Sequence, residues 1–178
     1  MPYRLYVVFL TCFLLACSPP EQNEQVAQVS AEEALPTPQG SVVLTVSGNI
    51  THTNDGDKAV FDMQMLHELP HKHLQTDTSV TDGEQQFEGV LMRDVLRRVG
   101  ATGSAVLLTA LNDYTVQVPV QDFDAFDAVL AWAMNDELLQ AKDKGPLWLV
   151  YPRSQHQELR DIRYDYRWVW QLVHVEVQ

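Results

Sequence analysis

Cysteine is nearly absent from this 178-residue chain, and both instances, Cys12 and Cys17, lie close to the N-terminus. Beyond residue 17 there is therefore no disulfide, no thiolate metal ligand and no cysteine nucleophile. Positive charge is scarce too. The chain has 12 Lys and Arg against 24 Asp and Glu, a formal charge of −12, so nucleic acid finds no basic footprint. Such acidity serves mainly to keep a protein soluble. No apolar run has the length that a membrane-spanning helix needs. The chain also lacks a Gly-rich phosphate loop and a Gly-x-Ser-x-Gly elbow, which removes P-loop and α/β-hydrolase chemistry. Internal repeats are missing as well.

The part that is present begins with an address. Arg4 precedes an apolar stretch from Leu5 to Ala16, suited in length to the h-region of a signal peptide. It ends in Leu14-Leu15-Ala16-Cys17, followed by Ser18-Pro19-Pro20, a pattern that resembles a bacterial lipobox. Residues 1–16 are then expected to be removed and Cys17 to become the lipidated first residue. Several acyl chains hold a protein at a bilayer far better than one, so the lipid bilayer is the expected partner and the periplasm the expected compartment. The alternative is an ordinary secretory signal with an incidental cysteine. Ser18 is not the aspartate that retains lipoproteins at the inner membrane in enterobacterial sorting, which favours the outer membrane. Residues 17–40 are rich in Glu, Gln, Ala, Ser and Pro and hold no aromatic side chain. They read as a disordered tether, reaching about 25–30 Å as a coil.

The folded domain is expected over residues 41–178. Its organising stretch is Gly145-Pro-Leu-Trp-Leu-Val-Tyr-Pro152, an uncharged apolar run bounded by turn residues. That composition suits a strand buried on both faces, read as the centre of the sheet. Ahead of it, Val42 to Val46 is a strand. Asp62 is a good N-cap for a short helix, with Phe61 placed to pack on Leu66 and Pro70 as the stop. Residues 71–86 are polar and Thr-rich and read as a loop; Phe87 to Val90 lead into a helix over 91–99, capped by Gly100. Val106 to Ala110 and Tyr114 to Val118 form strands around the turn residues Asn112-Asp113. Asp122 to Phe126 is a helical turn, and Val129 to Met134 pairs with Glu137 to Leu139 across Asn135-Asp136. Trp168 to Val177 closes the domain as a strand, with Trp168 and Trp170 on one face. Many strands with few short helices indicate a mixed, strand-rich α+β fold.

Several constellations carry possible chemistry. His67, His71 and His73 are spaced for a zinc or copper site, although Pro70 interrupts the helix between the first two. The alternative is a solvated helix end. Asn112, Asp113 and Tyr114 read either as hairpin chemistry or as the lining of a ligand pocket. Trp168 and Trp170, with Tyr164, Tyr166 and Arg167, either pack into the core or line a recess.

The segments FEGVLMRDVLRRVGA, ALNDYTVQVP, VLAWAMNDELL, GPLWLVYP and VHVEV follow one another in this order. Together they resemble the oxidoreductase molybdopterin-binding domain of the sulfite oxidase superfamily, over residues 41–178. FDMQML, LNDY and KGPLWLVYP are most similar to a small periplasmic branch of it. The resemblance implies a strand-rich, mixed-sheet α+β fold that binds a molybdenum–pterin cofactor and transfers oxygen atoms or reduces substrates such as sulfoxides. It also implies a molybdenum-ligating cysteine upstream of Phe-x-Gly-Val. Here that region reads QTDTSVTDGEQQFEG, and the position falls at Thr76, Asp77 or Thr78. A hydroxyl or carboxylate is a much harder ligand than a thiolate. The same resemblance makes Arg153, Arg160, Arg163 and Arg167 candidates for a pterin phosphate and places Tyr114 in the pocket; the alternative is that the arginines balance Asp161 and Asp165. The expectation is a lipid-anchored periplasmic protein that serves as a non-catalytic ligand-binding or sensory accessory module, acting with a periplasmic or membrane sensor protein. The alternatives are an active molybdopterin-dependent oxidoreductase with unusual metal ligation, and a metal-binding lipoprotein built on the histidine cluster.

Overall fold

Two five-stranded sheets carry the core in the computed structural model, which describes residues 34–178. The expected signal peptide over 1–16, Cys17 and most of the tether lie outside the described residues. The first sheet joins β1 (Val42–Gly48), β2 (Ala59–Asp62), β5 (Ala105–Ala110), β6 (Thr115–Pro119) and β10 (Leu172–Val177) in the order β2-β1-β10-β5-β6. Only β1 and β10 run parallel there. The second joins β3 (His71–Asp77), β4 (Glu84–Leu91), β7 (Val129–Met134) and β8 (Glu137–Leu138) in that order, with β9 (Trp148–Val150) also on β7. Short helices α1 (Met63–His67), α2 (Met92–Arg98), α3 (Gln121–Ala125) and α4 (Ile162–Asp165) and a 3-10 turn at Gln157–Arg160 fill the connections. Among the described residues no helix is long and apolar enough to cross a membrane.

Leu147 to Tyr151 are fully buried, as their lack of charge dictates. The central position, however, belongs to β7. It pairs with β4 along one edge and with both β8 and β9 along the other. β9 occupies only the first half of that second edge, opposite Val129 to Ala131. Its own outer edge is closed by irregular chain, Leu149 N–H donating to Val169 O at 2.9 Å. Burial on both faces thus identified a core strand without placing it in the sheet.

Residues 71–86, expected as a loop, contain β3 and the start of β4, paired from His71↔Val90 to Asp77↔Glu84. The strand was hidden because Thr76, one of its inward side chains, is polar though fully buried. Phe87 to Val90 belong to β4 rather than to a helix lead-in, and Gly89 sits so close to Leu130 O that a Cβ would lie 2.1 Å from it. β2 also went unread, AVFD being too short for its alternation to show. Trp168 and Trp170 precede β10 and lie in no strand.

The local signals held elsewhere. Asp62 caps α1, its Oδ1 accepting from Met65 N at 2.9 Å. Gly100, at φ 61°, ends α2, with Gly100 N donating to Arg97 O and Ala101 N to Leu96 O. Asn135 and Asp136 both have positive φ in the two-residue β7–β8 turn. The fold starts before Ser41: Leu35 is buried in the core, and Gln39 N and Gly40 N donate to Asp62 Oδ2 at 2.7 and 2.8 Å. Residues 35–40 are therefore part of the domain rather than of the tether. Those amide donors hold the Asp62 carboxyl below its ordinary range, Met65 contributing most and Gly40 next.

Candidate functional site

The end of β3 and the chain leaving β9 meet through charge. Period-two alternation turns Thr76 inward beside Leu74, while Asp77 ends the strand. Arg153, just beyond Pro152, donates from Nη1 to Asp77 Oδ2 at 2.5 Å, and Arg160 Nη2 lies 3.7 Å from Asp77 Oδ1. Ser154 N donates to Thr76 Oγ1 at 3.0 Å, and the two hydroxyls lie 3.3 Å apart. Thr78 Oγ1 accepts from Val80 N at 3.1 Å and shares a hydrogen bond with Thr81 at 2.8 Å. Residues far apart in sequence thus form one cluster: Thr76, Asp77, Arg153, Ser154 and Arg160.

Arg163 and Arg167 do not join it. Arg163 forks onto Asp161 at 3.0 and 2.9 Å on an exposed helix start. That guanidinium and the Arg163 amide hold the Asp161 carboxyl down to about 2. Arg167 is bonded to the buried carboxylate of Asp122 and stacks over the Tyr164 ring at 4.5 Å. Burial, and then the nearby Asp122 charge, hold the Tyr151 phenol well above its ordinary range. The four arginines therefore serve three separate carboxylates. Arg163 does balance Asp161 as the surface reading held.

The β5–β6 turn forms a second neighbourhood. Asp113 takes φ 62°, and Tyr114 N donates to Asn112 Oδ1 at 3.1 Å, so Asn112 and Asp113 do act as hairpin residues. Tyr114 Oη donates to Tyr166 O at 2.9 Å, tying the hairpin to the chain after α4. Burial and then the adjacent Tyr166 phenol raise the Tyr114 pKa, so the bond keeps its proton. Asn112, Tyr114, Asp165, Tyr166, Trp168 and Trp170 line a recess of about 280 Å³. Ser79 and Val80, directly after Thr78, and Ala110 from β5 complete its wall. Trp168 is buried and tilts against Tyr151 at 6.1 Å; Trp170, 38% exposed, meets Trp148 edge-on at 6.4 Å. Both the packing and the recess readings of these tryptophans therefore apply. Asp165 was missed as a lining residue, although its flanking by Tyr164 and Tyr166 was a readable sign.

The histidines fare differently. His71 Nε2 lies 2.9 Å from His67 O and its Nδ1 3.3 Å from Glu88 Oε1. The His67 and His71 rings pack on Trp132 at 4.2 and 5.0 Å. Among the described residues no group of three or more His, Cys, Asp or Glu could hold a metal ion. His67 and His71 are thus a packed surface pair and His73 stands exposed on β3, which does not make the candidate metal site.

The oxidoreductase molybdopterin-binding domain family matches residues 34–156. The match ends before Arg160, Arg163 and Arg167 and before the tryptophan-rich closing stretch. Among solved structures, the sulfane dehydrogenase SoxCD from Paracoccus pantotrophus aligns with a TM-score of 0.56 at 16% identity, covering 75% of this chain and 37% of that one. This is a likeness of fold, and the chain spans little more than a third of that protein's chain. Comparison with curated proteins finds no match.

A thiolate-held molybdenum has no ligand here, because the chain holds no cysteine beyond Cys17. At the positions where the resemblance expects that ligand, Thr76 bonds Ser154 and Asp77 is clasped by Arg153. Guanidinium groups that would meet a phosphate face carboxylates of the same chain instead. These residues do not fit the group.

Proposed function

From the premise that this chain belongs to the oxidoreductase molybdopterin-binding domain family, we propose that it uses the family scaffold as a non-catalytic ligand-binding module. The observation that carries the reading is the Asp77–Arg153 pair at 2.5 Å, with Thr76 beside it, standing where a cysteine would be needed. An internal ion pair fills the position with charge that the protein itself satisfies, and a hard oxygen donor is a poor substitute for a thiolate. No redox step is assigned to these residues. What the chain retains is a rigid two-sheet frame that presents the recess beside that pair.

The module is held at a lipid surface in the periplasm through acylated Cys17, on the outer membrane, and works with a periplasmic or membrane-borne sensor protein. The lipobox-like run ending at Cys17 supports this placement. Metal and pterin analysis of protein purified from its native compartment tests the reading. Protein free of molybdenum is expected. Stoichiometric molybdenum with pterin overturns it in favour of an active oxidoreductase with unusual ligation. The anchor has its own check: Cys17→Ser moves the protein from the membrane fraction to the soluble fraction, and an unchanged distribution removes the anchor.

A further inference from the structure

We propose that the recess between the β5–β6 turn and the Trp168–Trp170 stretch binds an organic cation, with a quaternary or methylated ammonium group seated among its aromatic rings. This rests on the ligand-binding reading above and names the chemistry of the ligand. Tyr114, Tyr166, Trp168 and Trp170 supply four π-systems around one space of about 280 Å³. Rings so placed attract a diffuse positive charge through their quadrupoles, and aromatic cages are a recurring solution for methylated ammonium.

The electrostatics point the same way. Among the described residues the only charged side chain lining the recess is a carboxylate, Asp165, and no Lys or Arg lines it. Asp165 Oδ1 is buried without a hydrogen-bond partner among the described residues. A buried carboxylate oxygen left without a donor is costly unless a cation compensates it. The two nearest arginines in sequence, Arg163 and Arg167, are already committed to Asp161 and Asp122, and Arg167 also stacks on Tyr164. A formal charge of −12 on the whole chain adds long-range attraction for cations and repulsion for anions.

The site is also stiff in the right way. Tyr114 is fixed by its bond to Tyr166 O and Trp170 by its edge contact with Trp148, so little side-chain freedom is lost on binding. A methylated ammonium suits this wall better than a metal ion, which needs several oxygen ligands where the recess offers one carboxylate. It also suits it better than a primary ammonium, a compact and strongly hydrated charge that loses more hydration on entering an aromatic wall.

Calorimetric titration of the full chain with tetramethylammonium, choline and the neutral isostere 3,3-dimethylbutan-1-ol tests the proposal. Saturable binding of both cations is expected, with the isostere weaker by about tenfold or more. Trp170→Ala and Asp165→Asn should each weaken choline binding by about tenfold, and Arg163→Gln, outside the recess, should leave it unchanged. Equal affinity for the isostere, no saturable heat with either cation, or unchanged binding in both recess variants overturns it. Near-ultraviolet circular dichroism shows that each variant is folded, and Asp165→Asn, which keeps side-chain shape, remains decisive if Trp170→Ala is not. Molybdenum content of the same preparation separates the two readings: metal with pterin defeats the non-catalytic role, whereas the titration alone decides the ligand class.

Discussion

Two polar neighbourhoods adjoin each other in the chain, one ending at Thr78 and the other beginning at Ser79, and they are opposite in character. At Asp77 the protein pairs its own charge with Arg153 and Arg160, although Asp77 Oδ1 and Arg153 Nε take no hydrogen bond among the described residues. In the recess, among the described residues, no Lys or Arg of the lining meets the Asp165 carboxylate. An answered ion pair is a structural device, since its energy is already gained in folding. Unanswered groups beside a cavity are a binding device, since their energy is gained only when something else arrives. The difference separates what the scaffold uses for itself from what it keeps for a partner.

The largest effect should come from breaking the first neighbourhood. Asp77→Ala leaves the Arg153 guanidinium, largely covered, without its partner, and a loss of about 2 kcal/mol is expected in chemical denaturation. Choline binding should survive in the fraction that remains folded. The double variant Asp77→Ala/Arg153→Met should recover about 1 kcal/mol of that loss, because removing both charges also removes the uncompensated one. A double variant no better than the single would mean that Asp77 acts through its strand contacts and not through the pair. Trp170→Ala should reverse the pattern, reducing choline binding while costing roughly 1 kcal/mol or less in stability, since the ring is partly exposed.

Acid gives the smallest and most local test. Asp127 accepts from Arg93 at 2.5 Å and from Lys72 at 3.1 Å, tying β3 to α2, and these cations, Arg93 first, lower its pKa. A carboxylate depressed in the folded state contributes stability that is complete above its unfolded pKa, near 4. That contribution disappears as pH falls through the folded value. Hydrogen exchange should therefore show β3 opening first below about pH 4, and Asp127→Asn should remove that dependence at a cost under about 1 kcal/mol. Acid opening that begins instead at the β5–β6 hairpin would contradict this assignment.

Much of the frame was legible because its signals are local. The Asp62 cap, the Gly100 terminus and the Asn135-Asp136 turn each depend on a few adjacent residues, and each is where its residue types require. The burial of Leu147 to Tyr151 was readable for the same reason. What escaped depends on distant chain. β3 shows only Leu74 as an apolar inward residue, and the buried Thr76 hydroxyl is met by Ser154, seventy-eight positions away, as well as by the adjacent Asp77 carbonyl. The arginines looked like one cluster by proximity in sequence; their three separate partners, two of them far along the chain, could not be read there. The family resemblance supplied the scaffold, because its segments follow one another in a recognisable order.

The clasp at Asp62 also has a mechanical meaning. Leu35 is embedded in the core and the Gln39 and Gly40 amides hold the Asp62 carboxylate, so a pull on the chain ahead of Leu35 meets those contacts before it reaches β1. Behind them, β1 lies parallel to β10, in register from Thr45↔His174 to Gly48↔Val177. Tension applied between the chain ahead of β1 and the far end of β10 therefore loads that ladder in shear, all its hydrogen bonds together, and does not unzip them one at a time.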